Sequence, residues 1–333
     1  MIKKIDFNGL PAVQFAAGGY EAVMVPSVGA NVVTLKHIAT GINILRTPTA
    51  EEMANFKERP QIYGLPLLFP PNRIEDGKYT FEGRTYQYPI TIPAQNNYHH
   101  GIIKSEPFTV CRTEEGDDYA EVEAVYYCNA INDAIYHNFP HEFSCHMIFR
   151  LDSDGLHQAT IFVNLGNENM PVGMGFHTPI NIPFTADGNA DNYRLRMSVD
   201  GLMEINERGL PTEVVFTLNH DAAPLREAGI KPCDNAMEWA LVNKPLLIDD
   251  EPFSGAIVTD TESGMSVCYE VDDQFKYWTF WNNGGNVPYA CPEPQTWAIN
   301  APNLSNPDAY GFQSIAPGEE FCAETRLYIC ENI

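Results

Sequence analysis

The chain has 333 residues, 44% of them hydrophobic and 19% charged, which is enough apolar material for a sizeable core and excludes a disordered chain. Its 20 basic residues stand against 44 acidic ones, and the net charge of −24 sets the surface against phosphate backbones and anionic membranes, so neither nucleic acid nor membrane is an expected partner. No run of about 18 apolar residues is present to cross a bilayer, and the first twenty residues lack the uninterrupted apolar stretch of a secretion signal. The eight cysteines are scattered without a C-x-x-C pair, which reads as buried free thiols in a reducing cytoplasm, with disulfides the minor alternative of an even count.

Taken in chain order, the first helical signal is "TAEEMANF", where Thr49 and Glu52 have capping-box spacing. "LLFPPNRIEDGKY" follows, with two prolines ending an apolar run and Asn72-Arg73 placed on a turn. "KYTFEGRTYQY" reads as a hairpin with Tyr79 and Phe81 on one arm, Tyr86 and Tyr88 on the other, and Glu82-Gly83 near the turn. In "NNYHHG", strand alternation would send His99 and His100 to opposite faces, so at most one of them reaches a given pocket. "HEFSCHMIFRLD" puts Phe143, Cys145, Met147, Phe149 and Leu151 on one face, and "HQATIFVNLG" does the same for Ala159, Ile161, Val163 and Leu165.

Further on, "MGFHTPINIPF" confines His177 among a glycine and prolines, and "DAAPLREAG" has room for one or two helical turns. "IVTDTESGMSVCYE" is a second hairpin, turning near Ser263-Gly264. In "YACPEPQTWAINAPN", Glu293 lies between Pro292 and Pro294, neither of which can donate a backbone hydrogen bond, so the segment reads as a poor central strand holding a carboxylate stiffly. Many closely spaced strands and few helices predict an all-β chain, a large antiparallel β-sandwich forming one domain across residues 1–333.

Each polar residue in these segments has an ordinary structural reading. Arg73 suits an ion pair, His99, His100 and His177 suit hydrogen-bonded loop positions, and Glu293 suits a solvated loop. Spacing alone does not bring the four segments together.

Their order, however, resembles that of the aldose 1-epimerase (galactose mutarotase-like) family: "NRIEDGKYTFEGRTYQYPI", then "HHG", then "GFHTPIN", then "PEPQTWAINAPN". The resemblance runs from about residue 20 to the C-terminus, and it implies a large antiparallel β-sandwich with a sugar cleft on one sheet. It implies that Glu293 is the catalytic base, His177 the acid and His100 a cleft histidine that orients the sugar or supports charge on its ring oxygen, with His99 facing away. Arg73, Asn72 and an aspartate, best matched by Asp250 in "IDDEPF" with Asp249 as its neighbour, would hold hydroxyls. Trp281 or Trp278 would pack on the sugar's apolar face. Three departures stand out: Ile102 replaces a usual glycine, Thr178-Pro179-Ile180 replaces an aromatic pair, and the aspartate is hard to place.

The activity implied is interconversion of the α and β anomers of a free hexose such as galactose or glucose, by a monomer or homodimer, with no metal or organic cofactor. Three rivals remain: a hexose 6-phosphate mutarotase, which needs extra basic residues at the cleft; a non-catalytic carbohydrate-binding protein on the same scaffold; and a metal-dependent enzyme using His99, His100, His177 and Glu293.

Overall fold

The computed structural model describes residues 1–131, 133–331 and 333. An antiparallel four-stranded sheet opens the chain, built from Ile2–Phe7, Leu10–Ala17, Tyr20–Val25 and Asn31–His37. Two larger antiparallel sheets follow. The first runs, in spatial order, Thr109–Glu115, Ala120–Cys128, Phe143–Asp152, Gly155–Asn164, Glu320–Glu331, Met265–Val271, Gly255–Asp260 and Tyr193–Met197. The second runs Pro211–Thr217, Val199–Ile205, Glu238–Asn243, Tyr277–Trp281, Tyr289–Gln295, Gly175–Phe176 and Leu67–Leu68, with Ile180–Asn181 as an extra partner of Tyr289–Gln295. Among the described residues no helix is long and apolar enough to cross a membrane.

The two large sheets bury their inner faces against one another in a continuous apolar cluster. Phe69 stacks on Phe162 with ring centroids 4.3 Å apart, and Trp278 meets Tyr269 edge-on across the sheets at 6.1 Å. In Phe143–Asp152, the alternating residues Phe143, Cys145, Met147, Phe149 and Leu151 are all fully buried, so the period-2 pattern names the core face there. The next strand inverts the expectation. Leu156, Gln158, Thr160, Phe162 and Asn164 face the interior, while Ala159, Ile161 and Val163 are only half-buried and Leu165 is exposed. Hairpin register decides this: Met147 pairs with Thr160 and Cys145 with Phe162, so the inner face is dictated by the partner strand and not by the strand's own apolar count.

The first predicted hairpin forms as Lys78–Phe81 and Arg84–Gln87, with Glu82 and Gly83 both at positive φ, the backbone a two-residue turn requires. The second forms as Gly255–Asp260 and Met265–Val271. Glu52 accepts a hydrogen bond from the Thr49 backbone N–H at 3.0 Å, half of the expected capping box, ahead of a helix at Met53–Glu58. "DAAPLREAG" contributes a single 3-10 turn, Ala223–Arg226. All eight cysteines are free; Cys145 is buried as its slot predicts and Cys268 is buried as well, whereas Cys111 and Cys322 are exposed.

Candidate functional site

The strand Tyr289–Gln295 is central, contrary to the reading of its prolines. It pairs along Tyr277–Trp281, with Glu293 opposite Thr279 and Cys291 opposite Trp281. On its other side the ladder touches only Tyr289, Ala290 and Gln295. Pro292 and Pro294 therefore lie beside a gap in which no partner strand calls for their missing donors. Alternation then sorts the neighbouring strand. Trp278 and Phe280 turn into the sandwich core, and Thr279 and Trp281 face outward beside Glu293. Glu238, opposite Trp281, extends the same row. This resolves the choice of tryptophan: Trp281 lines the outward pocket and Trp278 is core.

Two further segments fold over this surface. The short strand Arg73–Glu75 pairs with Asn97–His99, setting Arg73 directly opposite His99. After His99 the chain leaves the strand: His100 has φ of 62° and Gly101 φ of 70°. Two successive left-handed residues cancel the alternation, so the expectation that His99 faces away does not hold. Both rings stack with centroids 3.3 Å apart, and both line the pocket. Gly101 is needed for this path, since a Cβ there would lie 2.9 Å from the Phe69 backbone nitrogen. Gly175–Phe176 pairs with both Gln295 and Leu67–Leu68, which delivers His177 to the same cavity.

The cavity measures about 130 Å³ and is walled by Arg59, Gln61, Asn72, Arg73, His99, His100, His177, Glu238, Thr279, Trp281 and Glu293. At its centre the His177 Nε2 lies 3.1 Å from Glu293 Oε1, with both side chains almost fully buried. The His177 ring meets His100 edge-on at 5.2 Å and Trp281 at 5.3 Å. Arg73 donates to Glu238 at 2.6 Å, to Gln95 at 3.3 Å and to Asn72 at 3.4 Å, and Asn72 in turn donates to Thr279 at 3.0 Å. Among the described residues, His100 Nδ1, His177 Nδ1 and Glu293 Oε2 are buried without a side-chain partner.

Burial dominates the electrostatics. It holds the His177 imidazole well below the usual histidine range, against an opposing hydrogen bond to the residue's own backbone, and the positive charge of Arg59 pushes the same way as burial. Burial raises the Glu293 carboxyl well above its usual range, with Glu238 adding to the rise and Arg73 opposing it. His99 and His100 are both pushed toward the neutral form, first by burial and then by neighbouring positive groups. The 3.1 Å contact thus sets an imidazole that burial keeps neutral beside a carboxyl that burial pushes toward its protonated form.

Linkage gives the stability consequence. The depressed histidine costs stability as pH falls below its unfolded value of 6.5, and the raised carboxyl costs stability as pH rises above its unfolded value of 4.5. The pair therefore favours the folded state most between those values, with losses on both sides. Urea titrations of the chain against Glu293→Gln across that range are expected to show the plateau only in the parent; an identical pH dependence in both would contradict the raised Glu293 carboxyl.

The structure does not bring Asp250 to the pocket. Asp249 and Asp250 form the two-residue turn of a hairpin between Leu246–Ile248 and Glu251–Phe253, both exposed and both at positive φ, a backbone that aspartate tolerates. The second carboxylate at the pocket, beside Glu293, is Glu238, which sequence reading missed; its only signal is a charged residue in register with Ala240 and Val242 of an alternating strand. Asp250→Ala is expected to leave turnover and substrate affinity unchanged, checked by steady-state kinetics.

The matches to known proteins follow the same geometry. The family model described as aldose 1-epimerase matches residues 11–328. A galactose mutarotase-like protein of Clostridium acetobutylicum, of known crystal structure, shares 37% identity over 99% of this chain and 98% of its own, with a TM-score of 0.97. The GalM/aldose epimerase homologue from C. elegans shares the fold at 17% identity, covering 99% of each chain, with a TM-score of 0.72. The uncharacterized protein YihR of Escherichia coli is 24% identical over 209 residues, a match spanning 62% of this chain and 60% of that protein's length. A mutarotase-like sandwich and a family match across nearly all its length place this chain in the aldose 1-epimerase family.

Proposed function

We propose that the chain is a mutarotase acting on a free monosaccharide, with Glu293 as base, His177 as acid and the rest of the pocket wall as the sugar's grip. The observation that carries this reading is the buried contact between His177 Nε2 and Glu293 Oε1 in a cavity walled by polar side chains. A hexose entering it exchanges that contact for two bonds to oxygens on one anomeric carbon. Across that contact the proton that burial leaves on the Glu293 carboxyl first passes to His177; Glu293 then takes the proton of the C1 hydroxyl while His177 gives its proton to the ring oxygen, and the C1–O5 bond breaks. C1 then rotates about its bond to C2. On closure the ring-forming hydroxyl returns its proton to His177, and Glu293 returns one to the new C1 hydroxyl.

The enzyme's proton count never changes over the cycle; one proton moves from imidazole to carboxylate and back. Acid and base together supply the steps that neutral water supplies slowly. His100 faces the reacting centre from beside His177, and Arg73, Glu238 and Asn72 offer charged and neutral partners to the ring hydroxyls. Trp281 offers its ring to the sugar's apolar face.

One wall residue favours a second reading for the substrate. Among the described residues Arg59 makes no ion pair, although it lines the pocket, whereas Arg73 is paired with Glu238. An unpaired guanidinium suits a sugar with an anionic substituent, such as a hexose 6-phosphate. Polarimetry of freshly dissolved α-glucose, α-galactose and α-glucose 6-phosphate tests both readings. The approach to equilibrium is expected to accelerate in proportion to protein. Preference for the phosphate that disappears in Arg59→Ala supports the second reading, and equal loss on all sugars argues against it. No acceleration with any aldose would contradict the mutarotase reading.

A further inference from the structure

We propose that His100, His177 and Glu293 also form a capture site for one divalent transition-metal ion, zinc above all, whose binding shuts the pocket to sugar. The three side chains come from segments far apart in sequence, all are buried, and each offers a ligand atom within 4.8 Å of the other two. Zinc bonds of about 2.0–2.2 Å to imidazole nitrogen and carboxylate oxygen would draw these donors together by small side-chain rotations. Three polar atoms of the same residues, His100 Nδ1, His177 Nδ1 and Glu293 Oε2, are buried without a side-chain partner among the described residues, so the cluster has unused donor and acceptor capacity. Three protein donors would leave the fourth position of a tetrahedral zinc to water from the cavity.

Two imidazoles and one carboxylate select zinc and its late first-row neighbours over magnesium and calcium, which prefer all-oxygen shells. His99, although stacked on His100, lies outside the three-ligand group. Binding displaces to solvent the proton of the Glu293 carboxyl, and the metal then occupies a lone pair of the imidazole and one of the carboxylate at once. Among the described residues no side chain donates to or accepts from the Nδ1 of either histidine, so the carboxylate support that strengthens resident metal sites is missing and the ion acts as a reversible inhibitor. The inhibition rests on the mutarotase reading; the binding does not.

The test uses the full chain stripped of metal with a chelator. Titration calorimetry with zinc sulfate is expected to show one binding event that both Glu293→Gln and His177→Asn abolish and that magnesium chloride does not reproduce. Cobalt(II) in place of zinc is expected to give visible bands without thiolate charge transfer, which separates this site from the exposed cysteines. Zinc is further expected to raise the melting temperature of the parent alone and to weaken sugar binding. Metal binding of equal stoichiometry in parent and variants, a thiolate spectrum, or no heat at all would overturn the proposal. If zinc binds as described but no aldose is turned over, the site stands and the mutarotase reading falls. If sugars turn over unaffected by saturating zinc, the reverse holds.

Discussion

Glu293→Gln is expected to lower turnover by about 10²–10⁴-fold, the scale of one positioned proton-transfer group, while the chain still folds. The amide keeps the shape of the carboxyl and its place opposite Thr279 but cannot take a proton from the C1 hydroxyl. His177→Asn removes the other half of the exchange and is expected to fall by a similar factor. Because one proton passes between the two groups, the double variant is expected to be scarcely worse than either single one. Rates measured by polarimetry on all three variants, with circular dichroism to confirm folding, check this. Additive losses, or full turnover in either single variant, would contradict the assigned exchange.

Arg73→Ala is expected to act on affinity. The Arg73 side chain is nearly buried, and its fork reaches Glu238, Gln95 and Asn72 at once, which fixes it beside the cavity. A hydrogen bond to a charged group contributes about 1.5–3 kcal/mol, so KM is expected to rise roughly 10–100-fold with a smaller change in kcat. Glu238 is half-exposed and regains water when its partner is removed, so the loss in fold stability is expected to be modest. Arg73→Lys is expected to recover little, because an ammonium cannot span three partners. Steady-state constants for both variants test this, and an unchanged KM in Arg73→Ala would remove Arg73 from the grip.

The antiparallel sandwich was legible in the chain because alternation and turn chemistry are local. Phe143–Asp152 reads correctly from its own residues, and Glu82-Gly83 announces its turn. The misreadings share a cause. Gly155–Asn164 takes its inner face from the register of its hairpin partner, and Tyr289–Gln295 tolerates two prolines only because its other neighbour is interrupted; neither fact is local.

The histidine pair fails by alternation for a related reason: two positive φ angles at His100 and Gly101 turn the chain where a strand would continue. Arg73, His100, His177 and Glu293 meet through pairings between residues far apart in sequence, which spacing does not encode and which the order of family motifs supplied. The aspartate was sought by motif in "IDDEPF", yet the pocket takes its second carboxylate from Glu238, because Asp249-Asp250 is spent on a hairpin turn.

A crystal structure of the chain soaked with a monosaccharide tests the account most directly. The account predicts one pyranose in the pocket, its C1 hydroxyl on Glu293, its ring oxygen on His177, and Arg73 and Glu238 on the remaining hydroxyls. A sugar seated instead on the outer surface of the first large sheet, near Arg150, Glu270 and Arg326, with the His177–Glu293 contact intact, would contradict it.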